Sequence, residues 1–286
     1  MPELPEMQAL AERLDAAVTG TSLASVQPIQ FSALKTFDPA PESLIGCAVT
    51  GIGSRGKYVV FDFDRYRLLV HLSQGGRVDL ERPPKKTRPK VGVVRFGFTD
   101  TGQGSAAGAG ISILIKEFGT ERKAGWWVLR SGDDGPLTRL GPQPFSDAFE
   151  GLLLSSEDRR RVHTLLRDQR FVAGIGRGYS DDILHRAGVS PYTALAALDQ
   201  SERRALFDAV REILTEGLAA ERRRTGGLPT KIGDHFTVHG RWGQECPRCG
   251  TTLRRVSYES HEVTYCPHCQ TDDKVLADRR LSRLLR

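Results

Sequence analysis

Four of the five cysteines fall in two short pairs, Cys246-Pro247-Arg248-Cys249 and Cys266-Pro267-His268-Cys269, with sixteen residues between the pairs. Two Cys-x-x-Cys knuckles at that spacing can present four thiolates tetrahedrally to one Zn2+, each knuckle being a tight turn of the zinc-ribbon kind. Paired disulfides are the competing reading, and they need an oxidising compartment. The N-terminus is acidic and has no apolar stretch of the signal-peptide type, so a cytoplasmic location is expected and zinc is preferred. Cys47, between Gly46 and Ala48, reads as a small buried hydrophobe. His268 lies inside a knuckle and His261 and Glu262 lie between the knuckles; with four cysteines at hand none of them is needed as a ligand.

A zinc ribbon occupies only a small part of 286 residues, which leaves room for two further domains with their own cores. Hydrophobic residues make up 39% and charged residues 27%, and no apolar run is long enough to span a membrane. The net charge of +6 divides into +1 for residues 1–150 and +5 for residues 151–286. A basic C-terminal half suits a polyanionic partner, although charge alone does not name one.

Residues 5–18 read as an amphipathic helix, with Met7, Leu10, Leu14 and Val18 at three- and four-residue steps. From Ser22 to about Val128 the chain changes to short β-rich runs, among them Tyr58 to Phe63, Leu68 to Leu72, Val93 to Phe98 and Ile111 to Ile115. That texture predicts a β-sandwich or barrel. Basic Pro83 to Lys90 and the Gly/Ala-rich Thr101 to Gly110 interrupt it as exposed loops. Residues 131–147, rich in Gly and Pro, read as a linker. Beyond it the pattern predicts helices over 156–168, 179–187 and 200–219. Between the first two, Gly174, Gly176 and Gly178 form a compact turn into a helix N-terminus. That turn is either a phosphate contact or a plain helix–helix connection.

The chain opens Met1-Pro2-Glu3-Leu4-Pro5-Glu6. If Met1 is removed, Pro2 carries a free secondary amine, neutral in useful fraction near neutral pH and able to form an iminium with an aldehyde-like carbon, with Glu3 beside it as proton donor. The same residues also suit a helix entry, with Pro5 at an early position and Glu6 complementing the N-terminal dipole. On this stretch alone both readings stand.

Taken together, the motifs resemble the formamidopyrimidine-DNA glycosylase and endonuclease VIII family of base-excision repair enzymes. The resemblance rests on Pro2 to Glu6, Arg55-Gly56-Lys57-Tyr58, His71-Leu72, and Asp168-Gln169 followed by Ala173-Gly174-Ile175-Gly176. It continues through Ala187-Gly188 with Pro191, Val238-His239-Gly240-Arg241 and the zinc spacing. It implies an α+β multidomain chain: an N-terminal β-sandwich with an amphipathic helix (1–130), a linker (131–147), a helix-two-turns-helix domain (148–240), a four-cysteine zinc finger (241–270) and a basic tail (271–286). It further implies a monomeric DNA glycosylase and AP lyase that grips damaged double-stranded DNA, everts the base and removes oxidised bases of the formamidopyrimidine or 8-oxoguanine class. Pro2 would attack C1′, Glu3 would protonate the opening sugar, and Lys57 would contact the lesion phosphate and assist elimination. His71, Gln74, Arg122, Gly176 and Arg177 fall on the family's DNA-contacting positions. One structural zinc would sit on Cys246, Cys249, Cys266 and Cys269.

The chain departs from the family pattern where lesions are handled. The loop usually reading His-Leu-Gly-Met-Ser-Gly is His71-Leu72-Ser73-Gln74-Gly75-Gly76, so the void-filling methionine is Gln74. The Arg-x-Phe-Gly wedge is Arg122-Lys123-Ala124-Gly125, the asparagine after Gly-Ile-Gly is Arg177, and the arginine tied to δ-elimination is His261. These changes predict weakened δ-elimination and, with Gln74 and Ala124 as poor wedges, a preference for bubbles, single strands or abasic sites. A non-catalytic damaged-DNA-binding relative is the alternative that the altered loops favour and the intact Pro2, Glu3 and Lys57 oppose. The tail from Gln270 to Arg286 predicts either a basic helix that extends the DNA footprint or leucines packed on the zinc finger.

Overall fold

A computed structural model describes residues 1–99, 110–229, 231, 233–258 and 261–277, with the side chains of Tyr258 and His261 outside that set. The chain forms two compact units. Met1–Thr138 and Ala220–Ile232 make the first, and Arg139–Ala219 and Gly233–Arg286 make the second.

In the first unit, α1 (Leu4–Val18) buries Met7, Leu10, Leu14 and Val18, the stripe that the sequence periodicity predicts. Among the described residues eight strands follow: β1 (Leu23–Pro28), β2 (Val49–Arg55), β3 (Tyr58–Phe63), β4 (Tyr66–His71), β5 (Gly76–Glu81), β6 (Gly92–Phe98), β7 (Ile111–Glu117) and β8 (Gly125–Arg130). They pair antiparallel into two four-stranded sheets, ordered β1-β6-β7-β5 and β2-β3-β4-β8. One apolar core joins the sheets and the helix, with Phe61, Phe96 and Trp126 among its fully buried side chains. This is the sandwich arrangement of the two the strand pattern allowed.

A buried ion pair crosses the first sheet. Arg95 Nε donates to Glu81 Oε2 at 2.9 Å, Ser112 Oγ donates to the same oxygen at 2.6 Å, and Arg95 Nη1 donates to the Thr87 carbonyl at 2.6 Å. Through Thr87 the pair anchors the basic loop, whose residues Arg82 to Arg88 are exposed as the sequence predicts. Arg95→Met strands a buried carboxylate and is expected to cost about 3 kcal/mol or more in urea unfolding followed by tryptophan fluorescence. Adding Glu81→Leu should recover most of the loss.

The segment beginning at Ala220, which the sequence reading assigned to the helical domain, packs with the first unit. Arg13 reaches it, donating to the carbonyls of Glu221, Gly226 and Gly227 at 3.0, 2.8 and 3.3 Å. Leu228 exchanges backbone hydrogen bonds with Val78 of β5 and enters the core.

The second unit holds α2 (Asp147–Ser155), α3 (Val162–Arg167), α4 (Arg177–Ala187), most of α5 (Gln200–Arg222), β9 (Arg254–Tyr258), β10 (His261–Tyr265) and α6 (Pro267–Thr271). The helix expected over 156–168 is a correction: α2 lies earlier and α3 is short. Ser146 caps α2 by accepting the Phe149 N–H at 3.3 Å, with Asp147 and Glu150 in the first turn. Asp158 then takes the Arg160 N–H at 2.8 Å, a local side-chain bond that competes with helix and holds the connection open. Buried Arg203 of α5 closes the other end of α2, donating to the carbonyls of Leu153, Leu154 and Ser156. The Gly/Ala-rich loop lies outside the described residues except for Gly110. So does the tail beyond Ala277, although Leu276 packs against the β9–β10 hairpin and its N–H meets the Tyr265 hydroxyl at 2.9 Å.

Candidate active site and metal centre

Strand register brings the first unit's candidate residues to one end of one sheet. Arg55 pairs with Tyr58, Tyr58 with His71, and His71 with Gly125, so a single cross-strand row closes that end. Three connections leave from it: the Gly56-Lys57 turn, the Leu72 to Gly75 loop and the Phe118 to Ala124 loop. Gly56 takes φ 57°, which the tight hairpin turn requires and which a side chain would strain.

The N-terminus of α1 reaches the same end. Gly20 N donates to the Val49 carbonyl and Ile52 N to the Asp15 carboxylate at 2.7 Å, so α1 and β2 run antiparallel. From Asp15 back to Leu4 the helix covers about 16 Å, and from Ile52 on to Lys57 the strand covers about the same. Pro2, Glu3 and Lys57 are all buried.

Glu6 is a part of this group that sequence reasoning gave only a capping role. Its carboxylate accepts the Glu3 N–H at 2.8 Å, and burial, reinforced by the Glu3 carboxylate, pushes it up to about 7. The native chain therefore keeps a proton that the unfolded chain, with its ordinary value of 4.5, has already lost. Unfolding free energy should fall as pH rises from about 4.5 to about 7, by roughly 3 kcal/mol in total. Glu6→Gln is expected to flatten that slope in urea titrations run across the same pH range.

His71 is half-buried, with its ring 4.8 Å from the Tyr58 ring. Burial, then the Lys57 ammonium, push it down to about 4, so it is a neutral imidazole at physiological pH. Gln74 is the exposed tip of its loop. A Cβ on Gly75 would lie 1.8 Å from the Phe118 carbonyl oxygen, so only glycine lets the two loops approach. Arg122 is exposed and donates to the Lys90 carbonyl at 3.2 Å. Ala124, the expected wedge position, is 2% exposed and belongs to the core. Its N–H and that of Lys123 are held by the buried Glu117 carboxylate at 2.9 and 2.8 Å.

In the second unit, Gln169 shapes the glycine turn by donating to the Ile175 carbonyl at 2.7 Å and accepting the Gly174 N–H at 2.9 Å. Gly176 is the N-cap of α4, in extended backbone conformation, and Arg177 stands exposed at the first helical position. Two buried carboxylates of α4 carry a load that no sequence signal announced. Asp182 accepts the N–H groups of Thr237, Val238 and His239 at 2.7 to 3.0 Å, and Asp181 accepts from His239 Nδ1 and Thr264 N. Burial pushes Asp181 up to about 6 in spite of those bonds.

The four cysteines converge. Cys249 and Cys266 Sγ lie 3.5 Å apart, Cys246 and Cys269 Sγ lie 3.9 Å apart, and all four fall within 4.8 Å of one another. A tetrahedron of sulfurs at the usual Zn–S length has edges of about 3.8 Å, so the donor set fits one Zn2+. His268 turns instead to Asp273, 3.1 Å from its Nδ1. His261 opens β10 opposite Tyr258, and its side chain lies outside the described residues.

Residues 1–107 match the formamidopyrimidine-DNA glycosylase N-terminal domain, residues 140–226 its H2TH domain, and residues 243–271 a zinc finger found in FPG and IleRS. A formamidopyrimidine-DNA glycosylase of Pelobacter propionicus is 33% identical over 282 residues, covering 94% of this chain and 100% of that protein. The chain belongs to the formamidopyrimidine-DNA glycosylase family. An uncharacterised formamidopyrimidine-DNA glycosylase-like protein of Mycobacterium tuberculosis is 40% identical over 154 residues, 51% of this chain and 94% of that one. Among solved structures, a Lactococcus lactis FPG mutant in complex with a Fapy-dG containing DNA superposes with TM-score 0.79 at 25% identity, covering 94% of this chain and 100% of that chain.

Family membership gives the cysteine cluster its meaning: one structural zinc, tying the Cys246-to-Cys249 knuckle ahead of β9 to α6. No helix among the described residues is long and apolar enough to cross a membrane.

Proposed function

We propose that this chain is a base-excision DNA glycosylase and AP lyase for oxidised bases of the formamidopyrimidine or 8-oxoguanine class, a monomer working on damaged double-stranded DNA in the cytoplasm. Removal of Met1 frees the Pro2 nitrogen. Its lone pair forms a bond to C1′ of the lesion nucleotide, the base leaves with the glycosidic electrons, and Glu3 supplies the proton to the opening sugar oxygen. The iminium acidifies C2′, so loss of a C2′ proton expels the 3′ phosphate and nicks the strand. Lys57 stands at the same end as a phosphate contact, with His71 neutral beside it. Gln74 and Arg122, on exposed loops of that end, and Gly176 and Arg177, at the N-terminus of α4, serve as further DNA contacts.

The observation that carries this reading is the family match along the chain with Pro2, Glu3 and Lys57 all present, and buried, at the end where α1 and β2 meet. Borohydride trapping on abasic-site duplex, with intact mass of the protein, tests it. An adduct formed by protein lacking Met1 supports the lyase; DNA binding without an adduct would leave a recognition protein on the same scaffold.

With His261 where the family carries an arginine, the second cut should be slow, because an imidazole cannot reproduce a bidentate guanidinium clamp. Denaturing gels of cleaved abasic DNA should show the unsaturated aldehyde end in excess. A product dominated by the 3′ phosphate end would count against this role of His261.

A further inference from the structure

Ala124 is sealed in the core and cannot enter a DNA stack, yet the same connection carries another apolar side chain outward. Phe118 is 40% exposed, the one exposed large apolar residue of the β4–β5 and β7–β8 loops among the described residues. Its backbone is fixed on several sides. Phe118 N donates to the Gly75 carbonyl at 3.0 Å, the preceding Glu117 N donates to the Val91 carbonyl at 2.8 Å, and the Glu117 carboxylate holds the far end of the loop. Lys116 Nζ lies 5.6 Å from the Phe118 ring centroid, and Arg77 braces the partner loop by donating to the Gly76 carbonyl at 2.6 Å. An exposed aromatic ring on a fixed backbone, with the Lys116 cation near its face, suits a base-stacking contact, since every base offers a π-face.

We infer that Phe118 stacks on a DNA base beside the lesion and, with Gln74 next to it across the Phe118–Gly75 hydrogen bond, fills the helix when the damaged nucleotide leaves. This rests on the proposed function for the kind of DNA bound, and it names a positioning residue that the motif Arg122-Lys123-Ala124-Gly125 hides. It runs against the expectation, drawn from Gln74 and Ala124 as poor wedges, of a preference for bubbles, single strands or abasic sites.

The test uses the full chain and a duplex holding a tetrahydrofuran abasic analogue opposite 2-aminopurine, read at saturating protein. Wild type and Phe118→Tyr should change the 2-aminopurine fluorescence on binding, whereas Phe118→Ala and Phe118→Leu should lose most of that change. On abasic DNA, the ratio of duplex to single-strand trapping rates should fall about tenfold in the Ala and Leu variants. A Leu variant matching wild type in both readouts overturns the stacking role, because it keeps apolar volume without a ring. A wild-type chain that binds the duplex with no fluorescence change overturns it as well. Failure of wild type to form an adduct on any abasic DNA would instead overturn the lyase reading, while the fluorescence, which needs binding alone, still decides Phe118.

Discussion

Pro2→Gly is expected to cut the borohydride-trapped adduct with abasic DNA by roughly a hundredfold or more, while binding of an uncleavable abasic analogue changes little. The substitution leaves an N-terminal amine but takes away the secondary, ring-constrained one, and it removes buried contacts at the entry to α1. Quantifying trapped product on denaturing gels, alongside affinity for the analogue, separates loss of the nucleophile from loss of grip. Equal trapping in variant and wild type would move the covalent step to another amine. Protein that retains Met1 provides a second control, since its Pro2 nitrogen is an amide and should give no adduct.

Cys266→Ala should have the other large effect. Cys266 is fully buried, its Sγ lies 3.5 Å from that of Cys249, and its N–H is held by Gln270 Oε1 at 2.9 Å, so it anchors both metal and α6. Structural zinc contributes on the order of 10 kcal/mol to small metal-bound folds. Zinc content is expected to drop from about one per chain to none, and calorimetry should lose the transition of the zinc hairpin while the transition of the first unit stays. Strong chelator should do the same to wild type. A variant that keeps its zinc would show that three thiolates and another donor suffice.

Some of this molecule was legible in the chain because short-range spacing encodes it. The cysteine knuckles announce the metal centre, and the three- and four-residue repeat announces α1 almost to the residue. The strand runs announced the β-rich unit, but only the register shows that Lys57, His71 and the two loops share one end. Ala124 read as a failed wedge, whereas it is a core residue with its N–H tied to Glu117. What lay next to it, Phe118, has no motif of its own. Asp181 and Asp182 were missed as anything more than polar helix residues because their partners lie far away in sequence, and Glu6 as anything more than a cap because its shift comes from burial that local sequence does not reveal. The helix misplaced at 156–168 failed for the opposite reason: a very local bond, Asp158 to the Arg160 N–H, outweighed the apolar spacing.

The return of Leu228 to β5 bears on how the protein is made. In its sheet β5 lies at one edge, with β7 on its inner side, and Leu228 covers the Val78 backbone on the other. While the chain emerges from the ribosome, the strands β1 to β8 are available by residue 130, but among the described residues the segment that covers that edge comes only about a hundred residues later. The nascent sandwich thus waits, with one strand edge exposed and one core position unfilled, for a segment translated after most of the helical unit. A stalled or truncated product ending before Leu228 would carry a ready template for pairing with another chain.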